Sequence, residues 1–452
     1  MKILNLLENP KKLLNYLSIL VVFLNFTNAY LMLSGLLSIP FTLLSYIMMS
    51  ILALNVVVYR SVVLKVILER KIFIFYIIIF CAIPALGVFL SPYTMIRYIG
   101  YNVLSALLLL NVIIFIQQEG FLIFKKLVFF SFITTLAGLL VSYITPELFR
   151  KIANLQASAM NSYGVLDVVK VSSAEHARAF GFYMQPNVAY TGILFHLYIL
   201  TTAYFNTNFF GRLFLYISSF GAILLTGSRG GFVMFFVFIM TIFISEVKNG
   251  CRNKFNQKVS LLKYVPSYLV LGISLSFIVI ALMVFGKGSD ADEGFNVVQK
   301  ITSTFFPAQS GYGVSNDISV LSRFDAQIVY LERIFGDFFG LIFGNGTGAA
   351  KYYRYFGEIP TASHNNFLEM TFAHGIVVSL SMYGFFIFLT ASKKSKQFFY
   401  AHGYNISWII TVCMFIQSFT INVLFNYRLL PILVGFWLMS LFFPKPDIPN
   451  YN

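Results

Sequence analysis

The sequence predicts an all-α integral membrane protein, and three observations lead to this fold class. The 452-residue chain is 58% hydrophobic and only 11% charged, with a mean hydropathy of +0.79. Apolar runs of the roughly 20 residues that a helix needs to cross a bilayer recur along almost the whole chain. Basic residues gather between these runs. Because lipid cannot satisfy the backbone of an open sheet, the runs are predicted to be helices.

Placing the basic clusters inside, as the positive-inside rule requires, gives about twelve spans with both termini in the cytoplasm. The first apolar run lacks a small-residue cleavage site, so we interpret it as a membrane helix and not as a signal peptide. The clusters are Lys11–Lys12, Arg60–Lys71, Lys125–Lys126, Lys248–Lys263 and Lys393–Lys396. The predicted spans are 14–34, 38–58, 72–91, 97–117, 123–144, 181–204, 210–226, 231–246, 264–285, 367–391, 404–425 and 428–443.

No change in composition marks a second, soluble domain, so residues 1–452 are predicted to form a single polytopic membrane domain. The net charge of +15 is concentrated in the loop clusters, which indicates the lipid bilayer and not nucleic acid as the partner of the basic residues. Cys81 and Cys413 lie in apolar runs and Cys251 in a basic loop. This spacing predicts no disulfide framework.

Two long loops are predicted on the outer side, an outer loop at 145–180 and a large loop at 286–366. Loops longer than about 15 residues are uncommon unless they are functional or disordered. Within the second, residues 319–338 have apolar residues at helical spacing, which predicts an amphipathic helix on the outer membrane surface. The "GNGTG" stretch after it predicts a turn. The apolar positions are Val320, Leu321, Phe324, Ile328, Leu331, Ile334 and Phe335.

Three arginines, Arg178, Arg229 and Arg323, fall on the predicted outer side at the edges of helices. Outward arginines oppose the positive-inside bias, and an anionic ligand would explain them. Arg229 lies in "TGSRGG", at a turn between two spans, where glycines let backbone amides approach an anion. Its planar fork of donors matches phosphate oxygens. The alternative is an arginine that extends its charged head to the membrane surface.

A polar cluster, "SHNNFLE", precedes the tenth predicted span. His364, with a reference pKa of about 6.5, is suited to accept a proton from an attacking hydroxyl. Asn365 and Asn366 offer amides for sugar hydroxyls, and Glu369 lies about one turn further on. The alternative for His364 is a structural role. His196, His374 and His402 are interpreted as packing or interface residues, and His176 stays ambiguous.

No metal site is predicted. The acidic "DADE" stretch at 290–293 has no supporting constellation, and no close pairing of histidine and cysteine indicates zinc. Arginines would therefore have to neutralise a phosphate group without a metal.

Four segments resemble the successive motifs of the O-antigen ligase and O-antigen polymerase superfamily. They are "RAFGFYMQPNVAY" (178–190), "TGSRGGFV" (226–233), "SRFDAQIVYLERIFGDFFGLIFGNGTG" (322–348) and "SHNNFLEMTFAHGIVV" (363–378). We number them motifs 1 to 4. The resemblance covers residues 176–385, the motif-bearing catalytic part, and it rests on the order and spacing of the motifs.

The resemblance implies a GT-C-like helical bundle in the bacterial inner membrane, with an active site that faces the periplasm. It implies an inverting, metal-independent glycosyltransferase without a cofactor, whose partners are an undecaprenyl-diphosphate-linked oligosaccharide and a chain-length regulator. Arg229 and Arg323 match the residues that hold the donor's pyrophosphate, Arg178 matches the basic residue of motif 1, and His364 matches the base. Where many relatives carry an acidic residue, this chain has His374.

Three functions besides the favoured O-antigen polymerase stay open. A polymerase adds glycan to another lipid-linked glycan, whereas an O-antigen ligase adds it to lipid A-core, and both share these motifs. The polymerase is favoured because the chain has 52 Phe and 27 Tyr but only 2 Trp. A lipid-linked glycan flippase or transporter also fits the number of spans, although transporters place polar groups near the midplane on broken helices. A protein-glycosylating oligosaccharyltransferase is the remaining alternative.

Overall fold

The computed structural model describes residues 9–90, 96–145, 179, 181–183, 186–201, 209–253, 272, 318–350, 353, 365–392, 406–418 and 428–442. Within these ranges the chain is helical and contains no β-strand. The predicted all-α class is therefore confirmed for them. The span predicted at 264–285, apart from Gly272, and most of the two predicted outer loops lie outside the described residues.

The helices in the described part of the chain follow the predicted spans closely. The first eight are α1 (Pro10–Thr27), α2 (Ala29–Leu36), α3 (Phe41–Val58), α4 (Arg60–Glu69), α5 (Ile72–Ile77), α6 (Ile83–Leu86), α7 (Ile96–Glu119) and α8 (Phe121–Ile144). A π-helical turn, Ile78–Ala82, joins α5 to α6, and a 3₁₀ turn, Gly87–Leu90, follows α6. The next eight are α9 (Pro186–Leu200), α10 (Phe209–Thr226), α11 (Arg229–Asn253), α12 (Ile318–Gly336), α13 (Phe338–Phe343), α14 (Asn366–Ala391), α15 (Ile406–Ser418) and α16 (Leu429–Phe442).

Five of the described helices are long and apolar enough to cross a membrane. Their ranges are Phe41–Val58, Ile72–Leu90, Tyr98–Glu119, Phe121–Ile144 and Asn366–Ala391. Shorter apolar helices run over Val188–Leu200, Phe210–Thr226, Gly230–Ile244 and Leu429–Phe442. The chain is a multi-pass membrane protein, while the total of about twelve spans stays a prediction.

The two faces of α3 illustrate the environment of the bundle. Leu44, Met48 and Leu52 repeat at helical spacing and are buried against the neighbouring helices. The opposite face carries Leu43 and Leu54, which are apolar and exposed. A helix that is apolar on both faces has lipid and not water outside it.

Two of the predicted spans contain a break that the sequence-based boundaries do not include. Asn28, in the left-handed conformation with φ 59°, separates α1 from α2. Pro84 lacks an N–H group, so the helix before it cannot keep its regular hydrogen bonds. The Ile83 N–H donates instead to the Ile78 carbonyl, five residues back, which produces the π-helical turn.

Residues that are predicted to share one side of the membrane meet at one end of the bundle. At the predicted inner end, Asn15 Nδ2 donates to Glu119 Oε1 at 3.2 Å. At the predicted outer end, Asn28 Nδ2 donates to the Phe182 carbonyl at 3.3 Å. This pairing agrees with the alternation of inner and outer loops along the chain.

We expect cysteine-accessibility labelling to place the loop at 286–366 outside and the loop at 247–263 inside. In a background without Cys81, Cys251 and Cys413, a membrane-impermeant maleimide should label a cysteine at Ser289 in intact cells. A cysteine at Ser260 should react only after the membrane is permeabilised, because the basic cluster keeps its loop in the cytoplasm. The reverse pattern would invert the topology and exclude a periplasmic site.

Candidate functional site

The helix that begins at motif 4, α14, is sharply bent at Gly375. This residue has φ 80° and ψ 164°, far from helical values. In a straight helix, residues seventeen apart are separated by about 25 Å, yet Asn366 Nδ2 donates to the Tyr383 hydroxyl at 3.4 Å. We therefore describe two arms, 366–374 and 376–391, that fold toward each other. The sequence predicts one continuous span at 367–391, and this prediction is wrong at Gly375, where the helix is bent.

The bend is held by motif 3, which packs its backbone directly against the break. A Cβ atom on Gly375 would overlap the carbonyl oxygen of Ile342, at the end of α13. The Asn345 N–H donates to the Phe372 carbonyl at 2.8 Å, and the Gly346 N–H donates to the Ala373 carbonyl at 2.9 Å. These carbonyls precede the break, where the helix cannot supply its regular donors. The predicted "GNGTG" turn therefore also supplies the hydrogen-bond donors that the bent helix lacks at these carbonyls.

The amphipathic helix of motif 3 packs against the first arm of α14. Tyr330 and Ile334 of α12 are buried in a cluster with Leu368 and Phe372. The rings of Tyr330 and Phe372 lie 5.2 Å apart between centroids. The helix itself is thus confirmed, whereas its position on the membrane surface stays a prediction. Among its described side chains, Ile328, Leu331 and Phe335 are apolar and exposed.

Motifs 3 and 4 thus form one pair of packed segments, and motifs 1 and 2 form a second pair. The Ala179 N–H, directly after Arg178, donates to the Leu225 carbonyl at 2.9 Å, at the end of α10. Gly231, in the first turn of α11, lies so close to Tyr190 of α9 that a Cβ atom there would be 2.7 Å from the ring. The turn that carries "TGSRGG" is thereby placed beside the start of motif 1.

Helix α15 connects the two pairs. The rings of Phe415 and Tyr383 lie 5.2 Å apart between centroids, and the hydroxyls of Thr411 and Thr390 are 2.6 Å apart. On its other side α15 packs against α11, which begins in motif 2. The described parts of all four motifs therefore belong to one helical bundle.

Of the predicted pyrophosphate-binding residues, Arg229 lies at the start of a helix. Arg229 is the first residue of α11, and Ser228 before it caps the helix by accepting a hydrogen bond from the Gly231 N–H at 3.3 Å. Arg323 lies in the second turn of α12. The structure does not describe the side chains of Arg229 and Arg323. Arg178 and His364 lie entirely outside the described residues. Helix N-termini favour anions, which agrees with the role predicted for Arg229.

The predicted sugar-binding residues have structural roles in the start of α14. Asn365 caps the helix, with Oδ1 accepting from the Phe367 and Leu368 N–H groups at 3.1 and 3.2 Å. Asn366 is fully buried and is bonded to Tyr383. Glu369 is partly exposed in the first turn. An asparagine followed by an acidic residue in the first turn is a helix-start signal, so the capping was readable from the sequence. The acceptor-binding role stays a prediction.

A buried arginine at the same end of the bundle was not among the candidates. Arg428, 5% exposed, lies with its guanidinium 3.8 Å from the centre of the Tyr30 ring and donates from Nη1 to Asn28 Oδ1 at 3.3 Å. Asn28 in turn holds Phe182 of motif 1. Arg428 is the first residue of the last predicted span, on its outward edge, and therefore carries the same signal in the sequence as Arg229.

Two histidines within spans differ in how well packing explains them. His196 is fully buried, with its ring nitrogens 2.6 Å from Ser131 Oγ and from the Gly192 carbonyl oxygen, and it stacks on Phe26. It is a satisfied core histidine. His374 is also buried, but its Nδ1 has no hydrogen-bond partner among the described residues. Packing alone does not explain His374.

The described residues contain no group of three or more His, Cys, Asp or Glu side chains that could hold a metal ion. A metal-independent reaction stays a prediction. A scan against protein-family models and searches of curated proteins and of solved structures find no match to this chain, so the resemblance to the O-antigen ligase and polymerase superfamily is carried by its motifs alone.

Proposed function

We propose that this protein is an O-antigen polymerase, a metal-independent inverting glycosyltransferase of the inner membrane. It transfers a glycan from undecaprenyl diphosphate to the end of another lipid-linked glycan at the periplasmic face. The observation that carries the proposal is the pairing of the motifs. The backbone hydrogen bonds from Asn345 and Gly346 to the break in α14, and from Ala179 to α10, gather the motif segments into one bundle.

In the proposed reaction, the acceptor hydroxyl attacks the anomeric carbon of the donor sugar from the face opposite to the diphosphate. His364 takes the proton from that hydroxyl, and the glycosidic bond to the diphosphate breaks. Negative charge develops on a phosphate oxygen, where Arg229 and Arg323 stabilise it. Fixed donors in a partly dehydrated site stabilise such charge more than water does.

A flippase or transporter is the second candidate, and the bend in α14 favours it. Broken helices with polar residues at the break are typical of transporter binding sites, and α14 is broken at Gly375, directly after the buried His374. The two functions differ in chemistry, because transport leaves the donor's glycosidic bond intact.

Reconstitution separates these functions. Purified protein in liposomes, supplied with lipid-linked glycan on the outer-facing leaflet, should release undecaprenyl diphosphate and form longer lipid-linked glycans. Turnover should continue in EDTA, because arginines replace the metal. Translocation of intact donor without release of diphosphate would establish the transporter. Loss of turnover in EDTA that magnesium or manganese restores would contradict the metal-free mechanism.

A deletion strain distinguishes polymerase from ligase. For a polymerase, a lipopolysaccharide gel should show loss of the ladder with a single repeat retained on the core. Loss of all O-antigen from the core would establish the ligase instead, since no glycan would then reach lipid A-core.

We expect Arg229→Lys and Arg323→Lys each to lower turnover by about 10²-fold, the typical effect of removing one donor to a developing negative charge. Lysine keeps the positive charge but loses the bidentate fork. Arg252→Lys, at the other end of α11, is the matched control and should leave turnover unchanged. Wild-type turnover in both test variants, measured at equal amounts of folded protein, would show that these arginines do not bind the diphosphate.

A further inference from the structure

A cavity of about 460 Å³ lies where the Ile72–Leu90 segment ends beside the bend in α14. This volume falls within the ~300–1,000 Å³ of ligand pockets. Its wall combines the end of α6 and the 3₁₀ turn, the end of α13, and both arms of α14. The described residues that line it include one histidine, His374, and no Lys, Arg, Asp or Glu; the others are Gly, Ala, Val, Ile, Leu and Phe.

The rim of the cavity lies at the exposed surface of the helical bundle. Four of its lining residues are more than half exposed: Leu86 at 65%, Leu90 at 54%, Phe343 at 53% and Val377 at 59%. Large apolar side chains at the surface of a membrane-spanning bundle contact lipid chains. A lipid chain can therefore enter the cavity sideways from the bilayer.

One polar atom breaks the apolar lining. His374 is 7% exposed, and no hydrogen bond to its Nδ1 is formed by any described residue. Gly87, which also lines the cavity, lies opposite this nitrogen: a Cβ atom on Gly87 would be 3.6 Å from it. A buried polar group without a partner is costly in an apolar environment. A ligand with a single oxygen at this position would remove that cost.

We propose that the cavity binds one acyl chain of a glycerophospholipid, whose ester carbonyl oxygen accepts a hydrogen bond from His374 Nδ1. The uncharged lining that the described residues form matches an uncharged oxygen, whereas a phosphate or diphosphate buried here would find no cation among these residues to neutralise it. The imidazole tautomer with its proton on Nδ1 supplies the donor. The test of this site does not depend on activity.

Native mass spectrometry of the purified full chain tests the hydrogen bond. The two probes are dipalmitoyl phosphatidylglycerol and its diether analogue with the same chain lengths and no carbonyl groups. The wild type should retain the ester lipid about fivefold better, as one ordinary hydrogen bond provides. In His374→Leu the preference should disappear. Equal retention of both lipids by the wild type would overturn the hydrogen bond.

A pair of tryptophan variants tests the cavity itself and stays informative if His374→Leu fails to fold. Val377→Trp fills the opening and should abolish retention of the ester lipid. Leu380→Trp, three residues on in the same arm and also exposed, lies outside the lining and should retain the lipid. Equal retention by Val377→Trp and the wild type would refute the site. Displacement of the phospholipid by a lower concentration of a polyprenyl phosphate would show that the cavity takes an isoprenoid chain, which also refutes the proposal.

Discussion

Replacing His364 with glutamine should abolish most glycan transfer while donor binding stays intact. Glutamine keeps hydrogen bonding but has no basicity, and loss of a general base typically lowers the rate about 10²–10⁴-fold. His364→Ala should be at least as poor. The arginines remain in both variants, so lipid-linked donor should still bind. Turnover and donor affinity are measured on each variant with the same lipid-linked glycan.

The matched control for this prediction is His402→Gln. His402 lies in a short loop that is predicted to face the cytoplasm, so its replacement should leave turnover unchanged. Normal turnover in His364→Gln would show that the histidine only positions sugar. A parallel loss of donor binding in His364→Gln would show instead that the segment before α14 forms part of the donor site.

Gly375→Ala should destabilise the protein by about 3 kcal/mol or more and remove activity with it. The φ and ψ values of Gly375, 80° and 164°, belong to a region that only glycine adopts readily, and a non-glycine residue held there costs about 1–3 kcal/mol. The added methyl group would also overlap the Ile342 carbonyl. The backbone of α13 would have to leave the break, and the hydrogen bonds from Asn345 and Gly346 would be lost with it.

Gly384→Ala in the second arm of the same helix is the matched control. No atom lies within 4 Å of a Cβ built there, and alanine in a helix interior is favoured over glycine by about 0.5–1 kcal/mol. Thermal unfolding in detergent should therefore show a lower midpoint for Gly375→Ala and an equal or higher one for Gly384→Ala. Equal midpoints for the two variants would mean that the close contact between α13 and α14 contributes little to stability.

If both predictions hold, the bend in α14 gains a functional meaning. The segment "SHNN" leads into the first arm of α14, and this arm is held by α12 and by the turn after α13. Motif 3 would then position motif 4 through backbone contacts. Disruption of Gly375 would reduce transfer through structure, whereas His364→Gln would reduce it without unfolding. Comparing the two variants at equal amounts of folded protein separates these effects.

The sequence by itself determined the membrane class and the approximate position of most helices. Hydropathy and run length are local properties, because a span must match the thickness of the bilayer whatever packs beside it. The amphipathic helix α12 and the turn after α13 were predicted for the same reason, since their spacing and glycines are written in consecutive residues. The proposed chemistry also came from the sequence, through the order of its motifs.

Only the tertiary structure decided which backbone segments pack most closely against each other. Gly344 and Gly375 are ordinary glycines in the sequence, yet Gly344 lies against the backbone of Ala373 and Gly375 against the backbone of Ile342, because of how α13 lies against α14. The hydrogen bond between Arg428 and Asn28 joins residues 400 positions apart, which no local pattern indicates. Likewise, Asn366 is predicted as a sugar ligand from its neighbours, yet the bend brings it to Tyr383 and buries it. Such contacts follow from the packing of distant helices, so the sequence supplies the residues and the fold decides which of them meet.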